Sequence, residues 1–422
     1  MCIRDSKKER DILPVRSQAA IYDEVLRERL HMLLPELMRQ TESEMWIVIC
    51  REAVEDPIFH SLTPYLVRNA SRTSCFIFTR SMSGAFHAYS LSRPNPRLSP
   101  FYEEMYDPAK EDQYEAIAKV IQKENPRHVV LDICEEEAHV DGLCKTLYDK
   151  LLPVLKGREI VTDGKLAVRW LETRTRRELQ MYPAIYKVAM EILAEAYTST
   201  VITPGITTTN DVEWYIMQRI DDMGLAAWFS PDVDVQRVGS DDFKQANTII
   251  QEGDLIRTDM GIRYLCGLHT DTQRMAYVLR RSKGETEIPK GILRGFEQAN
   301  RFQDIVREQF ITGRTGNEIL SASLLQAQKE GITAMLYSHP IGLYGHGAGP
   351  TIGMFDNQKF VPGHGEAELH DDTCFALELN TRCQVPEWGG QTVWFMIEET
   401  IAFTDGSAQY LDDGRTKLTP IG

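Results

Sequence analysis

Two aspartates stand in an apolar, strand-like stretch. Asp259 follows the run from Leu255, and Asp271 precedes Met275, Ala276, Tyr277, Val278 and Leu279. A carboxylate in a half-buried hairpin is costly to desolvate and needs a partner. Hard divalent cations are the usual partners of clustered oxygen ligands. Further along lie His339, Glu378 and Glu398, each in its own apolar or glycine-rich segment. Four carboxylates and one imidazole suit a hydrolytic centre built on two metal ions. His346 follows His339 by seven residues, among Gly342, Gly345, Gly347 and Gly349, and glycines let backbone come close to a ligand. The segment Gly345–Gly349 lacks the lysine and the spacing of a phosphate-binding loop. His364 and His370 sit in a polar stretch and read as surface residues. Glu399 reads as a support for Glu398 or a solvated neighbour, and the two could exchange roles.

Two kinds of chain must position these groups. Over Ser17–Arg39 apolar residues recur at helical spacing (Ile21, Val25, Leu30, Leu33, Leu34, Leu37). Trp46–Cys50, Cys75–Phe78 and His128–Cys134 are short apolar runs of the buried-strand type. Helical stretches near 111–124 and 141–155 flank the last run. Residues 1–171 are therefore expected to form an α/β domain. Residues 172–422 contain an internal echo. Asp211 to Gly224 and Glu318 to Gly331 are both steps of thirteen residues, each opening on a capped helix start with an acid in its first turn. A longer helical stretch precedes each, near 175–200 and 290–311, and Pro183 is expected to kink or restart the first.

The bulk numbers narrow the partners. At 422 residues the chain exceeds one ordinary core, so two or three domains are expected. A net charge of -15 argues against nucleic acid and anionic membranes as partners. No apolar run is long enough to span a bilayer. The eight cysteines contain no C-x-x-C pair and fit reduced, buried thiols. The first ten residues hold no signal-peptide core. The chain as given therefore reads as cytoplasmic, with an exported form open if its start is truncated.

The motifs in order are Gly253-Asp254-Leu255, Asp259-Met260-Gly261, Thr270-Asp271-Thr272-Gln273-Arg274, His339-Pro340-Ile341-Gly342, His346, Ala376-Leu377-Glu378 and Ile397-Glu398-Glu399-Thr400. Together they resemble the superfamily of methionine aminopeptidase, Xaa-Pro aminopeptidase, prolidase and creatinase, most closely the Xaa-Pro aminopeptidase branch. The resemblance covers residues from about 172 to the end. It implies an α+β catalytic domain of the pita-bread fold with an internal pseudo-twofold repeat, behind a creatinase-like N-terminal α/β domain. It implies two divalent metal ions, of manganese, zinc, cobalt or iron. Asp259 would chelate one ion, Asp271 and Glu398 would bridge both, and His339 and Glu378 would complete the second. Glu378 would also take a proton from the attacking water, with His346 contacting substrate. The implied activity is release of an N-terminal residue from peptides by a metal-bridging hydroxide, in a homodimer. Two alternatives remain: a non-peptidase enzyme of the same fold for a small amide, amidine or sulfonium-type substrate, and a catalytically silent binding protein.

Three departures bear on this. The aspartates are twelve positions apart where the family commonly has eleven, and in a strand pair one extra residue turns later side chains to the other face. A β-bulge or wide turn near Cys266-Gly267 is therefore expected. The family's Pro-His before the first aspartate is absent from Trp228–Ser240. The usual Arg before the last ligand and the Glu-Pro-Gly at the fourth are replaced by Trp394–Glu398 and Glu378-Leu379-Asn380. The metal shell is thus better matched than the substrate side.

Overall fold

The computed structural model describes residues 12–412 and 414–422, so the expectations drawn from the first ten residues lie outside the described residues. The chain divides into two compact units, Leu13–Thr175 and Arg176–Gly422, with Ile12 in the second. Among the described residues no helix is long and apolar enough to cross a membrane, and all seven cysteines are free thiols.

The first unit opens with a helix, Val15–Glu28, that passes through a π turn at Arg29–Leu33 into Leu34–Gln40. The cause is local. Pro35 has no N–H to give, and the Leu34 N–H reaches five residues back to the Arg29 carbonyl. Behind the helix lies a six-stranded sheet in the order Glu103–Glu104, Phe86–Ser90, Thr73–Arg80, Met45–Arg51, His128–Leu131, Glu159–Val161. The central strand Met45–Arg51 is buried over six of its seven residues. It runs antiparallel to Thr73–Arg80 and parallel to His128–Leu131. The helix Gln113–Glu124, started by a reciprocal Asp112–Glu115 cap, packs Ile117, Val120 and Ile121 onto Ile47, Ile49 and Ile77.

The second unit is built on a nine-stranded sheet, with a three-stranded one of Ala226–Ala227, Ile262–Tyr264 and Leu268–His269. The main path of the larger runs Thr333–Leu336, Thr373–Val385, Gln391–Thr404, Thr272–Val278, Leu255–Met260, Asp232–Gln236. Two helix pairs cover one face. Arg176–Ala196 and Thr209–Asp222 pack Val188, Ile192, Val212 and Ile216 against Val233, Ile256, Met260 and Ala276. Lys290–Glu308 and Gly316–Lys329 pack Phe296, Ala299, Ile319 and Leu320 against Phe375, Leu377, Leu379 and Ile397. The shorter helices are both 14 residues long and start with matching capping boxes, Thr208 with Asp211 and Thr315 with Glu318. Each is followed by a left-handed glycine, Gly224 or Gly331, as expected for an αL stop. Arg176–Ala196 does not restart at Pro183, which lies inside one helix. The residues around it, Tyr182, Ile185 and Tyr186, are fully buried, so packing outweighs the single lost hydrogen bond.

Candidate metal centre

Strand alternation sends one residue of each pair to the helices and the next to the opposite face. Because Ile256, Met260, Leu377 and Ile397 face the helices, Asp259, Glu378 and Glu398 face away from them. The register aligns these in one row across four strands: Asp259 opposite Gln273, Gln273 opposite Glu398, and Glu398 opposite Glu378. Asp271 stands two residues before Gln273, on the same face. His339 arrives on a short strand paired to Thr373–Val385 at Ala376.

Of the β-bulge or wide turn expected near Cys266-Gly267, the ladder contains no bulge. Tyr264 pairs with Leu268, Arg263 with His269, Met260 with Thr272 and Asp259 with Gln273, a constant register with no inserted residue. The extra position sits in the turn Leu265–Gly267, where Cys266 (φ 58°) and Gly267 (φ 76°) are both left-handed. A loop of three residues rather than an even number restores the facing of both aspartates.

The five side chains fall into two overlapping groups. Asp271, His339 and Glu398 offer ligand atoms within 4.8 Å of one another, and so do Asp259, Glu378 and Glu398. Glu398 belongs to both. His339 Nε2 lies 3.5 Å from Asp271 Oδ2 and 4.0 Å from Glu398 Oε1. Buried polar atoms normally have hydrogen-bond partners. Here Asp259 Oδ1, Asp271 Oδ1, His339 Nε2 and both Glu398 carboxylate oxygens have none. Such orphaned oxygens and imidazole nitrogen, aimed at one another, are what divalent cations satisfy.

Electrostatics repeat the point. Burial, then the Asp271 charge, raises Asp259 well above the usual carboxylate range despite Arg257. Burial, then Asp271 and Glu378, does the same to Glu398. Burial pushes Glu378 up to about 7, against the pull of His339. For His339 burial works downward, but its contact with Asp271 more than offsets it and the pKa is raised. A cation would reverse the carboxylate shifts by supplying the missing charge.

The adjacent pair Glu398 and Glu399 is separated by alternation. Glu399 is buried on the helix side, bound by both terminal nitrogens of Arg274 and by the Tyr186 hydroxyl at 2.6 Å. His346 belongs to neither ligand group. It is exposed and stands edge-on to His339, ring centroids 4.6 Å apart, and to Trp228 at 5.2 Å. His364 and His370 are half-buried rather than on the open surface.

Sequence reasoning passed over five residues here. Trp228 occupies the stretch without the family histidine. Its indole N–H donates to the Thr270 carbonyl at 2.8 Å. It lies so close to Gly261 and Gly345 that a Cβ at either would sit 1.9 Å or 2.4 Å from indole atoms. Arg257 is 4% exposed and donates to Asp259 Oδ2 (2.6 Å), Asp232 Oδ2 (2.8 Å), Asp234 Oδ2 (3.0 Å) and Gln273 Oε1 (3.0 Å). Gln273 in turn donates to Glu378 Oε1. The signal was two-residue periodicity. Arg257 precedes Asp259 by two, Gln273 follows Asp271 by two, and Asp232 and Asp234 alternate with Val233 and Val235.

Residues 184–405, more than half of the chain, match metallopeptidase family M24. No curated protein sequence matches. Among solved structures, an X-Pro aminopeptidase from Thermotoga maritima superposes with TM-score 0.64 at 13% identity, over 91% of this chain and 99% of that one. An Xaa-Pro dipeptidase from Bacillus anthracis gives 0.58 at 15%, over 92% and 99%. A prolidase from Pyrococcus furiosus gives 0.54 at 14%, over 91% and 98%. At such identities the likeness speaks to the fold.

Proposed function

Because this chain belongs to metallopeptidase family M24, and is a metallopeptidase-type hydrolase of the pita-bread fold, we propose that it releases the N-terminal residue of short peptides, in the manner of an Xaa-Pro aminopeptidase, using two divalent ions. The observation that carries this is the pair of overlapping ligand groups sharing Glu398, with orphaned buried atoms in both. The ligand groups support a division other than the one the resemblance implies, with Glu378 beside Asp259 rather than His339: Asp271, His339 and Glu398 would hold one ion and Asp259, Glu378 and Glu398 the other. Bound ions would supply an activated water and polarise the scissile carbonyl.

The protein's own groups then have distinct tasks. Glu378, kept ionised by a neighbouring cation, would be placed to take a proton from the activated water. His346 stands beside His339 without being a ligand and is placed to donate to a substrate carbonyl. Trp228 forms a wall behind His346.

Elemental analysis of the purified chain, followed by release of N-terminal residues from Xaa-Pro peptides, tests the proposal. Bound metal with cleavage is expected. A second reading, a non-peptidase hydrolase for a small amide, is favoured by the absence of a histidine from Trp228–Ser240, the stretch before the first aspartate. Metal without cleavage of any peptide would select it, and a metal-free, inactive protein would overturn both.

A further inference from the structure

Three rungs of one ladder lead away from the metal centre. Between Thr373–Val385 and Gln391–Thr404, Glu378 pairs with Glu398, Asn380 with Met396, and Arg382 with Trp394, in unbroken register. Alternation puts all six on the face of the ligands, because Leu379, Phe395 and Ile397 pack toward the helices. Asn380 and Met396 are buried. At the third rung the face opens. Arg382 and Trp394 are half-buried, and Thr333, opposite Arg382 on the next strand, is exposed. Four residues of strand, about 13 Å, separate Arg382 from Glu378.

Arg382 stands out by what it lacks. Its guanidinium carbon lies 4.2 Å from the centre of the Trp394 ring. Trp394 is itself stacked on Phe243, with centroids 4.3 Å apart and planes inclined by 15°. The Gln236 amide anchors the Trp394 backbone, accepting from its N–H at 2.8 Å and donating to its carbonyl at 2.7 Å. Among the described residues no carboxylate pairs with Arg382 and no group accepts from it, and its Nε is buried without a hydrogen bond. A chain of net charge -15 does not lack carboxylates to bring here. Arg257, on the same face, holds Asp232, Asp234 and Asp259. Stacking occupies the flat of a guanidinium and leaves its edge, the fork of N–H groups that grips a carboxylate at two points. It also fixes the fork before any ligand arrives, which lowers the entropy lost on binding.

Resting on the hydrolytic reading above, we propose that Arg382, held on Trp394, receives an anionic group of the substrate: a carboxylate one or two residues away from the bond held at the metals. Reach sets that length. Two extended residues cover about 7 Å, and the long stem of the arginine spans the remainder. The carboxylate is the free C-terminus of a short peptide or an acidic side chain, since both present the same two oxygens.

Three tripeptides, given to the manganese-loaded full chain, test this: Ala-Pro-Ala, its C-terminal amide, and Ala-Pro-Glu amide, whose one carboxylate is on a side chain. Wild type should favour an acid over the neutral amide by roughly tenfold to a hundredfold in kcat/KM, expressed in KM. Preference for Ala-Pro-Ala supports the site with a C-terminal carboxylate as its ligand, and preference for Ala-Pro-Glu amide supports it with a side chain. Arg382→Met should bring the ratio close to one. Arg382→Lys guards against a folding defect: it keeps the charge without the fork and should retain part of the preference. If none of the three is cleaved, the proposed activity has failed, and calorimetric binding of the same peptides reads the site alone. Tighter binding of an acid than of the amide, lost in Arg382→Met, would then still support it. No preference for either acid in the wild type, in cleavage or in binding, or a preference unmoved in both variants, would overturn the inference while leaving a metallohydrolase standing.

Discussion

Glu398→Gln should stabilise the metal-free protein and destabilise the metal-loaded one. Glu398 is 1% exposed, neither oxygen has a hydrogen-bond partner, and burial with the charges of Asp271 and Glu378 raises its pKa well above the ordinary 4.5. Without metal the wild-type group must take up a proton to stay buried. That cost grows by about 1.4 kcal/mol for each pH unit between the ordinary carboxylate value and the raised one. Glutamine keeps the shape and carries no charge, so this cost disappears. For a unit the size of Arg176–Gly422, 1 kcal/mol moves Tm by about 2–4 °C, which gives a rise of several degrees. The sign with pH is fixed by the raised pKa. The stability of the wild type is fully present below the ordinary carboxylate range and is lost as pH rises, so at pH 5 the gap between variant and wild type should shrink to under about 1 kcal/mol. With metal the order reverses. An ion held at a hundredfold excess over its dissociation constant stabilises by about 2.7 kcal/mol. On the proposed two-ion centre, wild type would have two positions to gain from, whereas the variant loses the one carboxylate common to both ligand groups. Calorimetry of chelated and manganese-loaded protein at pH 5 and pH 7 measures all of this. A metal-free variant that melts below wild type at pH 7, or one that gains as much from manganese as wild type does, would refute the reasoning.

Three further expectations follow from other parts of the structure. His346→Ala should lower kcat for peptide release by about a hundredfold with metal content unchanged by elemental analysis, and parallel losses of metal and turnover would make His346 a ligand after all. Arg274→Met leaves Glu399 buried against Tyr186 without its cation and should cost about 3–5 kcal/mol, read by chemical unfolding, with a change under about 1 kcal/mol counting against a structural role for that pair. In the first unit, burial and the Asp141 charge push Asp56 up to about 6, beside Asp132, whose other neighbour is the Trp46 indole N–H. Wild type should therefore lose about 2 kcal/mol relative to Asp56→Asn as pH rises from 4 through 6, and parallel stability curves for the two proteins over that range would exclude this.

How much of this could be read from the chain differs by physical level. Short-range signals were fully legible. The two capped helix starts, the stops at Gly224 and Gly331, and apolar runs such as Trp46–Cys50 are written locally, because caps, stops and strand burial depend on residues a few positions apart; that the caps are Thr208 and Thr315 rather than the nearby asparagines came from the structure. The family resemblance and the fold it implies were legible for a related reason: the motifs from Gly253 to Thr400 keep their order and spacing. The π turn at Arg29–Leu33 and the unbroken helix through Pro183 were less so, since each turns on whether packing compensates a missing N–H, which no local pattern states. The turn at Cys266-Gly267 shows the same limit. Parity demanded one adjustment between Asp259 and Asp271, but a bulge and an odd loop satisfy parity equally, and only the paired strands decide. Register decided the rest. It set Glu398 on the face of the metal centre and Glu399 on the face of the helices, although the two are neighbours of identical chemistry. It also brought Arg257, Gln273, Asp232 and Asp234 from three strands onto the ligands. A sequence names its carboxylates, but which of them meet a guanidinium and which are left to meet a metal is a property of strands laid side by side.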